Sequence, residues 1–179
     1  MALLINCLVT LSSTSLLKLQ AIAITNASFQ PFGQVIWPQP DSKAFDFQDA
    51  QLQLQNGIPR FYIMQLHQRG RQFTQITRHD ACTQCLGSLE GQSWFLAVAP
   101  ASDRPYPQLE NIQAFQIPGN CFVKLEVGTW HAGPYFDAET VSFYNLELSD
   151  TNVVDHTTCN LLETYGTTFS IESSQTNPI

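Results

Sequence analysis

Turn-forming residues recur through this chain at short intervals, and that spacing decides most of what it can become. Gly, Pro, Asn and Asp cluster at 31–33, 38–41, 56–59, 87–91, 100–107, 118–120 and 132–134. Between them lie runs rich in β-branched and aromatic residues, at 60–66 (RFYIMQL), 72–77 (QFTQIT), 94–98 (WFLAV), 112–117 (IQAFQI), 121–127 and 140–148. Such runs read as strands. The helical period hardly appears. Two short helix candidates remain, a turn at 26–31 capped by Asn26 and a piece at 46–54. Many short strands at turn-limited spacing predict an all-β sandwich or barrel. No repeat or linker divides the chain, so one domain is expected.

The 179 residues are 44% hydrophobic and only 13% charged, with 8 basic against 15 acidic side chains and a net charge of -7. That composition excludes a disordered chain. An acidic protein without a basic patch is repelled by phosphate backbones, so no nucleic-acid partner is expected. An anionic substrate would have to depend on one or two named cations. Five cysteines, one pair spaced CxxC at Cys82 and Cys85, make neither a disulfide framework nor a zinc site, because no second pair or ligand-spaced histidines accompany them. Reduced thiols and a cytoplasmic location are expected. Residues 1–10 are apolar, but the first positive charge is Lys18 and no small-residue cleavage pattern follows. Residues 1–16 therefore read as a short extension rather than an export signal. No run approaches the ~18 apolar residues of a spanning helix, and no membrane partner is expected. The domain is placed at 17–165 and a loose polar tail at 166–179.

Two of the four histidines sit at strand edges beside glycine turns, His79 in RHDACTQ and His131 in LEVGTWH. Their surroundings resemble the two metal-site motifs of the cupin superfamily, small jelly-roll β-barrels. His79 takes the second histidine of the first motif, Gln84 the place of its carboxylate and Gly91 its closing glycine, while Thr77 replaces the first histidine. In the second motif Gly128 and His131 match, and Glu126 replaces the proline. The resemblance implies a cupin-type β-barrel. A divalent metal, if held, would take His79, Gln84 and His131, with Glu126 beside them.

A narrower resemblance covers most of the chain. SFQPFGQVI at 28–36, Asn56-Gly57 with Arg60-Phe61-Tyr62, Arg78-His79 with Thr83-Gln84, and Thr129-Trp130-His131 are similar to segments of the ureidoglycolate lyase family of purine and allantoin degradation. Asp80 and Glu126 depart from the family pattern, and WHAGP at 130–134 resembles its plant-like members. The resemblance implies cleavage of ureidoglycolate to glyoxylate and urea by a homodimer. A non-catalytic cupin binding a small carboxylate, and a metal-dependent cupin enzyme, are the alternatives.

The reaction needs a base for the carbinol proton, an acid for the leaving nitrogen and a cation for the carboxylate. It consumes no water and requires no redox cofactor. Histidine suits the proton transfers and arginine the carboxylate. His79 and His131 are therefore the expected proton carriers, with Glu126 as an alternative base. Arg60 or Arg78 is the expected anchor, and Gln84 orients substrate. Lys124 shares a strand face with Glu126 and either pairs with it or joins the pocket. Trp94, Phe122 and Trp130 read as barrel core. Asp155-His156 reads as a loop, or else as a further carboxylate and histidine for the pocket.

Overall fold

The computed structural model describes residues 14–173. In chain order its strands are β1 (Ser15–Ala23), β2 (Gly33–Ile36), β3 (Pro59–His67), β4 (Gln72–Phe73), β5 (Gln75–Arg78), β6 (Gln84–Ser88), β7 (Gly91–Ala99), β8 (Gln113–Gly119), β9 (Phe122–Leu125), β10 (Trp130–Tyr135), β11 (Thr140–Leu148), β12 (Thr157–Asn160) and β13 (Thr167–Ser173). Three short helices intervene: α1 (Asn26–Phe29), α2 (Thr151–Val154) and α3 (Leu161–Tyr165). The fold is all-β, as the turn spacing predicts, and its sheets agree with the cupin-type barrel that the motif resemblance implies.

The strands form two sheets. Eight run in the order β12-β5-β10-β7-β8-β1-β13-β4 and five in the order β2-β9-β6-β11-β3. The larger sheet is strongly curled. β4 lies at one end of it and β5 one strand from the other, yet only Thr74 separates them in the chain. The alternation of side chains along β7 divides the core. Trp94, Leu96 and Val98 face the smaller sheet, where they meet Leu86, Val123 and Phe143. Phe95, Ala97 and Ala99 face the other way, into the curl, with Ile76, Trp130 and Phe169. Burial of this kind contributes roughly 25 cal/mol for each Å² of apolar surface removed from water. Trp94 and Trp130 are both fully buried, whereas Phe122 is 37% exposed on the outer face of the smaller sheet, so the core expectation is corrected for Phe122 alone.

Three local expectations change. Helix α1 is capped by Thr25, not Asn26. Thr25 Oγ1 accepts the Ser28 N–H and Ser28 Oγ accepts the Thr25 N–H, each at 3.1 Å, a reciprocal capping box. The segment 46–54 forms no helix. Lys43 Nζ instead draws Asp46 and Asp49 together at 2.9 and 3.1 Å, and Asp49 takes the Asp46 N–H at 2.8 Å, which fixes a turn. The polar tail begins later than position 166. Thr167–Ser173 is strand β13, parallel to β1, with Phe169 and Ile171 buried. Phe169 and Ile171 alternate inward, and that pair outweighs the polar average. The rest of that tail, 174–179, and residues 1–13 of the extension lie outside the described residues. Among the described residues no helix is long and apolar enough to cross a membrane.

Candidate functional site

A cleft of about 470 Å³ opens between the two sheets, reached by side chains of β3, β5, β6, β10 and β11. His131 projects into it from β10, directly across from Thr77 of β5. His79 follows the last residue of β5 and is 5% exposed. The two imidazole centroids lie 5.0 Å apart, and His156 stands 5.7 Å from His79. The turn before β10 makes this meeting happen. Gly128 adopts φ +80°, where a side chain is disfavoured, and its N–H donates to the His79 carbonyl at 2.7 Å.

Each of the paired histidines has one nitrogen committed. His131 Nδ1 donates to the Thr129 carbonyl at 3.2 Å, and His79 Nδ1 donates to the Asp155 carbonyl. A carbonyl can only accept, so the proton sits on Nδ1 and the lone pair of the neutral ring on Nε2. Burial, then the neighbouring His79 and His156, push the His131 imidazole from 6.5 down to about 3. His131 is therefore neutral at physiological pH.

The opposite wall is polar. Along β11 the inward positions pass from Val141 and Phe143 in the core to Asn145 and Glu147 in the cleft. Glu147 is 1% exposed. Its carboxylate accepts from Tyr62 Oη at 3.2 Å, Asn152 Nδ2 at 2.9 Å and Gln84 Nε2 at 2.9 Å. Gln84 Nε2 also donates to Asn145 Oδ1 at 3.1 Å, and Asn145 Nδ2 donates to Tyr62 Oη at 2.9 Å. Arg69 is the one lysine or arginine lining the cleft among the described residues, its guanidinium 5.0 Å from the Tyr135 ring centre at the mouth.

Comparison with known proteins adds the chemistry to this geometry. The family model described as ureidoglycolate lyase matches residues 16–166. The chain belongs to the ureidoglycolate lyase family. No curated protein matches it. Among solved structures it is similar to a dTDP sugar isomerase from Desulfovibrio desulfuricans G20, with 10% identity and a TM-score of 0.41 over 66% of this chain and 79% of that one.

Of the residues the sequence singles out in this ureidoglycolate lyase family member, His79, His131 and Gln84 line the cleft. Arg60, Arg78, Lys124 and Glu126 are not among its lining residues, and Lys124 takes the pairing with Glu126 that is one of its two expected places. Arg60 lies over the Tyr62 ring at 3.7 Å, at the rim. Arg78 donates to the Ser102 and Arg104 carbonyls at 3.0 and 3.2 Å, and its guanidinium rests 4.8 Å from the Trp130 ring centre. Its Nε is 3.1 Å from the Asp80 carboxylate. Lys124 is 1% exposed and its ammonium pairs with Glu126. The turn that frees Gly128 carries Glu126 outward, where its N–H bonds the Phe32 carbonyl at 3.0 Å.

The sequence reading misses Tyr62, Arg69, Asn145, Glu147 and Asn152, while His156, left open there between a loop and a pocket histidine, lines the cleft. A signal for two of them was present. Val141, Phe143, Asn145 and Glu147 share one face by strand alternation, and two polar residues on an otherwise apolar face mark a lined cavity.

The donors present do not assemble the cupin metal set. Thr77 holds the first histidine's place, and among the described residues no group of three or more His, Cys, Asp or Glu is disposed to hold a metal ion. The Gln84 amide presents only a neutral oxygen, a weak ligand.

Proposed function

We propose that this chain cleaves ureidoglycolate to glyoxylate and urea, with His79 and His131 as the proton carriers. Family membership supports that reaction, a step of purine catabolism by way of allantoin, over a non-catalytic carboxylate binder or a metal-dependent cupin enzyme. One imidazole Nε2 takes the carbinol hydroxyl proton. The oxygen lone pair forms the aldehyde C=O as the C–N bond breaks. The departing urea nitrogen takes a proton from the imidazole pair, so the net change moves one proton from oxygen to nitrogen. The observation that carries this assignment is the pair of rings 5.0 Å apart, each with Nδ1 committed to a main-chain carbonyl.

Arg69 takes the anchoring role expected of Arg60 or Arg78, since it alone of the cations among the described residues lines the cleft. Purified wild type should release glyoxylate from ureidoglycolate. His79→Ala and His131→Ala should each lose at least ~10²-fold in kcat. No turnover by the wild type would refute the substrate, and wild-type rates in either variant would refute the roles.

A homodimer and a cytoplasmic location belong to the same proposal. Cys82, Cys85, Cys121 and Cys159 are free and buried, which suits a reducing compartment. The outer face of the smaller sheet carries an apolar groove lined by Leu52, Phe61, Phe122, Tyr144 and Leu146. Among the described residues no charged one lines it. Two copies of a chain with net charge -7 repel over most of their surfaces, and this uncharged face is where they meet at least cost.

A further inference from the structure

The polar wall of the cleft holds an acceptor without a donor. Gln84 is 7% exposed, and its Oε1 is buried with no hydrogen-bond partner. The amide cannot turn over to relieve this. Its Nε2 already serves two acceptors, Asn145 Oδ1 and Glu147 Oε2, and Asn145 is itself fixed by donating to Tyr62. A flipped amide would set oxygen against both. A buried carbonyl oxygen without a donor is costly, so the position favours any ligand that brings an N–H to it.

Glu147 adds a second open acceptor beside the first. A carboxylate offers about four acceptor positions. Three are filled, two on Oε1 by Tyr62 and Asn152 and one on Oε2 by Gln84. No lysine, arginine or histidine among the described residues forms an ion pair with this buried carboxylate. The wall thus presents acceptors and demands donors.

We infer that Gln84 Oε1 and Glu147 Oε2 form a specificity subsite for the N–H groups of a planar ureido group. This rests on the proposed function and names the residues that choose the substrate's nitrogen end. A ureido group carries adjacent N–H donors on two nitrogens, matching two adjacent acceptors. A carboxylate or ester in that place would set acceptor against acceptor. A site built to hydrogen-bond a group rejects analogues lacking it far more strongly than an apolar pocket does. The subsite also sets the substrate's direction, with the ureido end on β6 and β11 and the carboxylate toward Arg69.

The test uses urea, tetramethylurea and glyoxylate as separate probes of the full-length protein, read by ligand-observed NMR and by inhibition of turnover. Urea should bind, and tetramethylurea, which has no N–H, should not. Gln84→Met should abolish urea binding and raise KM for ureidoglycolate at least roughly tenfold, with glyoxylate binding within about twofold of wild type. Arg69→Ala should do the reverse. Glu147→Gln should resemble Gln84→Met, and if it fails to fold the Gln84 variant decides. Undiminished urea binding in Gln84→Met, or equal binding of tetramethylurea, would overturn the inference. Absence of ureidoglycolate turnover by wild type would instead strike the proposed reaction, while the urea probes would still decide the subsite.

Discussion

Asp155 holds His79 through two different groups. Its main-chain carbonyl takes the imidazole Nδ1–H, and its carboxylate takes the N–H of Asp80 and Ala81 at 2.7 and 2.9 Å. The loop after α2 and the segment after β5 are thereby locked together, and the tautomer of His79 is set by a residue outside both cupin motifs.

Asp155 is accordingly a positioning residue. Asp155→Ala keeps the main-chain carbonyl but frees the loop that aims it. Its kcat should fall by about tenfold with KM little changed, as expected when geometry is lost and ground-state binding is kept. Asp155→Asn retains one acceptor oxygen and should recover part of the loss. A kcat within twofold of wild type in Asp155→Ala would remove the role.

Acid sensitivity follows from His131. Its folded imidazole titrates at about 3 against 6.5 for the free side chain. The unfolded chain therefore binds a proton that the folded one refuses, and the linked stability is present above 6.5 and drains away as pH falls toward 3. The titratable neighbours that face it are His79 and His156, and both push the same way. Melting temperature should decline across that window, and His131→Gln should flatten the decline. An unchanged slope in the variant would show that His131 is not buried as a neutral ring.

Glu126 separates stability from catalysis. It neutralises the buried ammonium of Lys124, and Glu126→Gln leaves that charge uncompensated. Breaking a buried pair costs up to 3–5 kcal/mol, and the half-exposed carboxylate here sets the expectation nearer ~2. The folded fraction should cleave ureidoglycolate at the wild-type rate, and Lys124→Met with Glu126→Gln should restore most of the stability. A lowered kcat at full stability would return Glu126 to the role of base.

The apolar outer face gives an assembly prediction. Phe61 is 69% exposed and stacks on Tyr144 at 5.9 Å between ring centres. Phe61→Glu places a charge at the centre of the proposed contact and should convert a dimer to a monomer in sedimentation, with the monomer's melting behaviour otherwise intact. A wild type that sediments as a monomer would refute the contact.

The strand pattern was largely legible because turn residues and alternation are local properties. The run 140–148 is strand β11 to the residue, and 94–98 lies inside β7. What the local pattern did not show was where the curl of the larger sheet breaks the run 72–77, at Thr74. The histidine pair was legible from its spacing against two glycine turns. The cations were not, because nearness to a motif in sequence does not fix which way a side chain points. Arg78 adjoins His79 in the chain yet alternation turns it to the Trp130 side, whereas Arg69 reaches the mouth from the connection between β3 and β4. Only the closure of the sheet brings that connection back to the cleft.

The pairing of β1 with β13 sets Ser15 against Thr167 and Ala21 against Ser173. The curled sheet therefore joins strands from opposite ends of the described chain, a contact of very high sequence separation. Such contacts slow folding, because the entropy of closing the long loop is lost before the pairing rewards it. During synthesis β1 waits unpaired along most of its length until nearly every other strand has emerged. Its late partner leaves the edge of β1 exposed for longer than the edges of the strands that follow it.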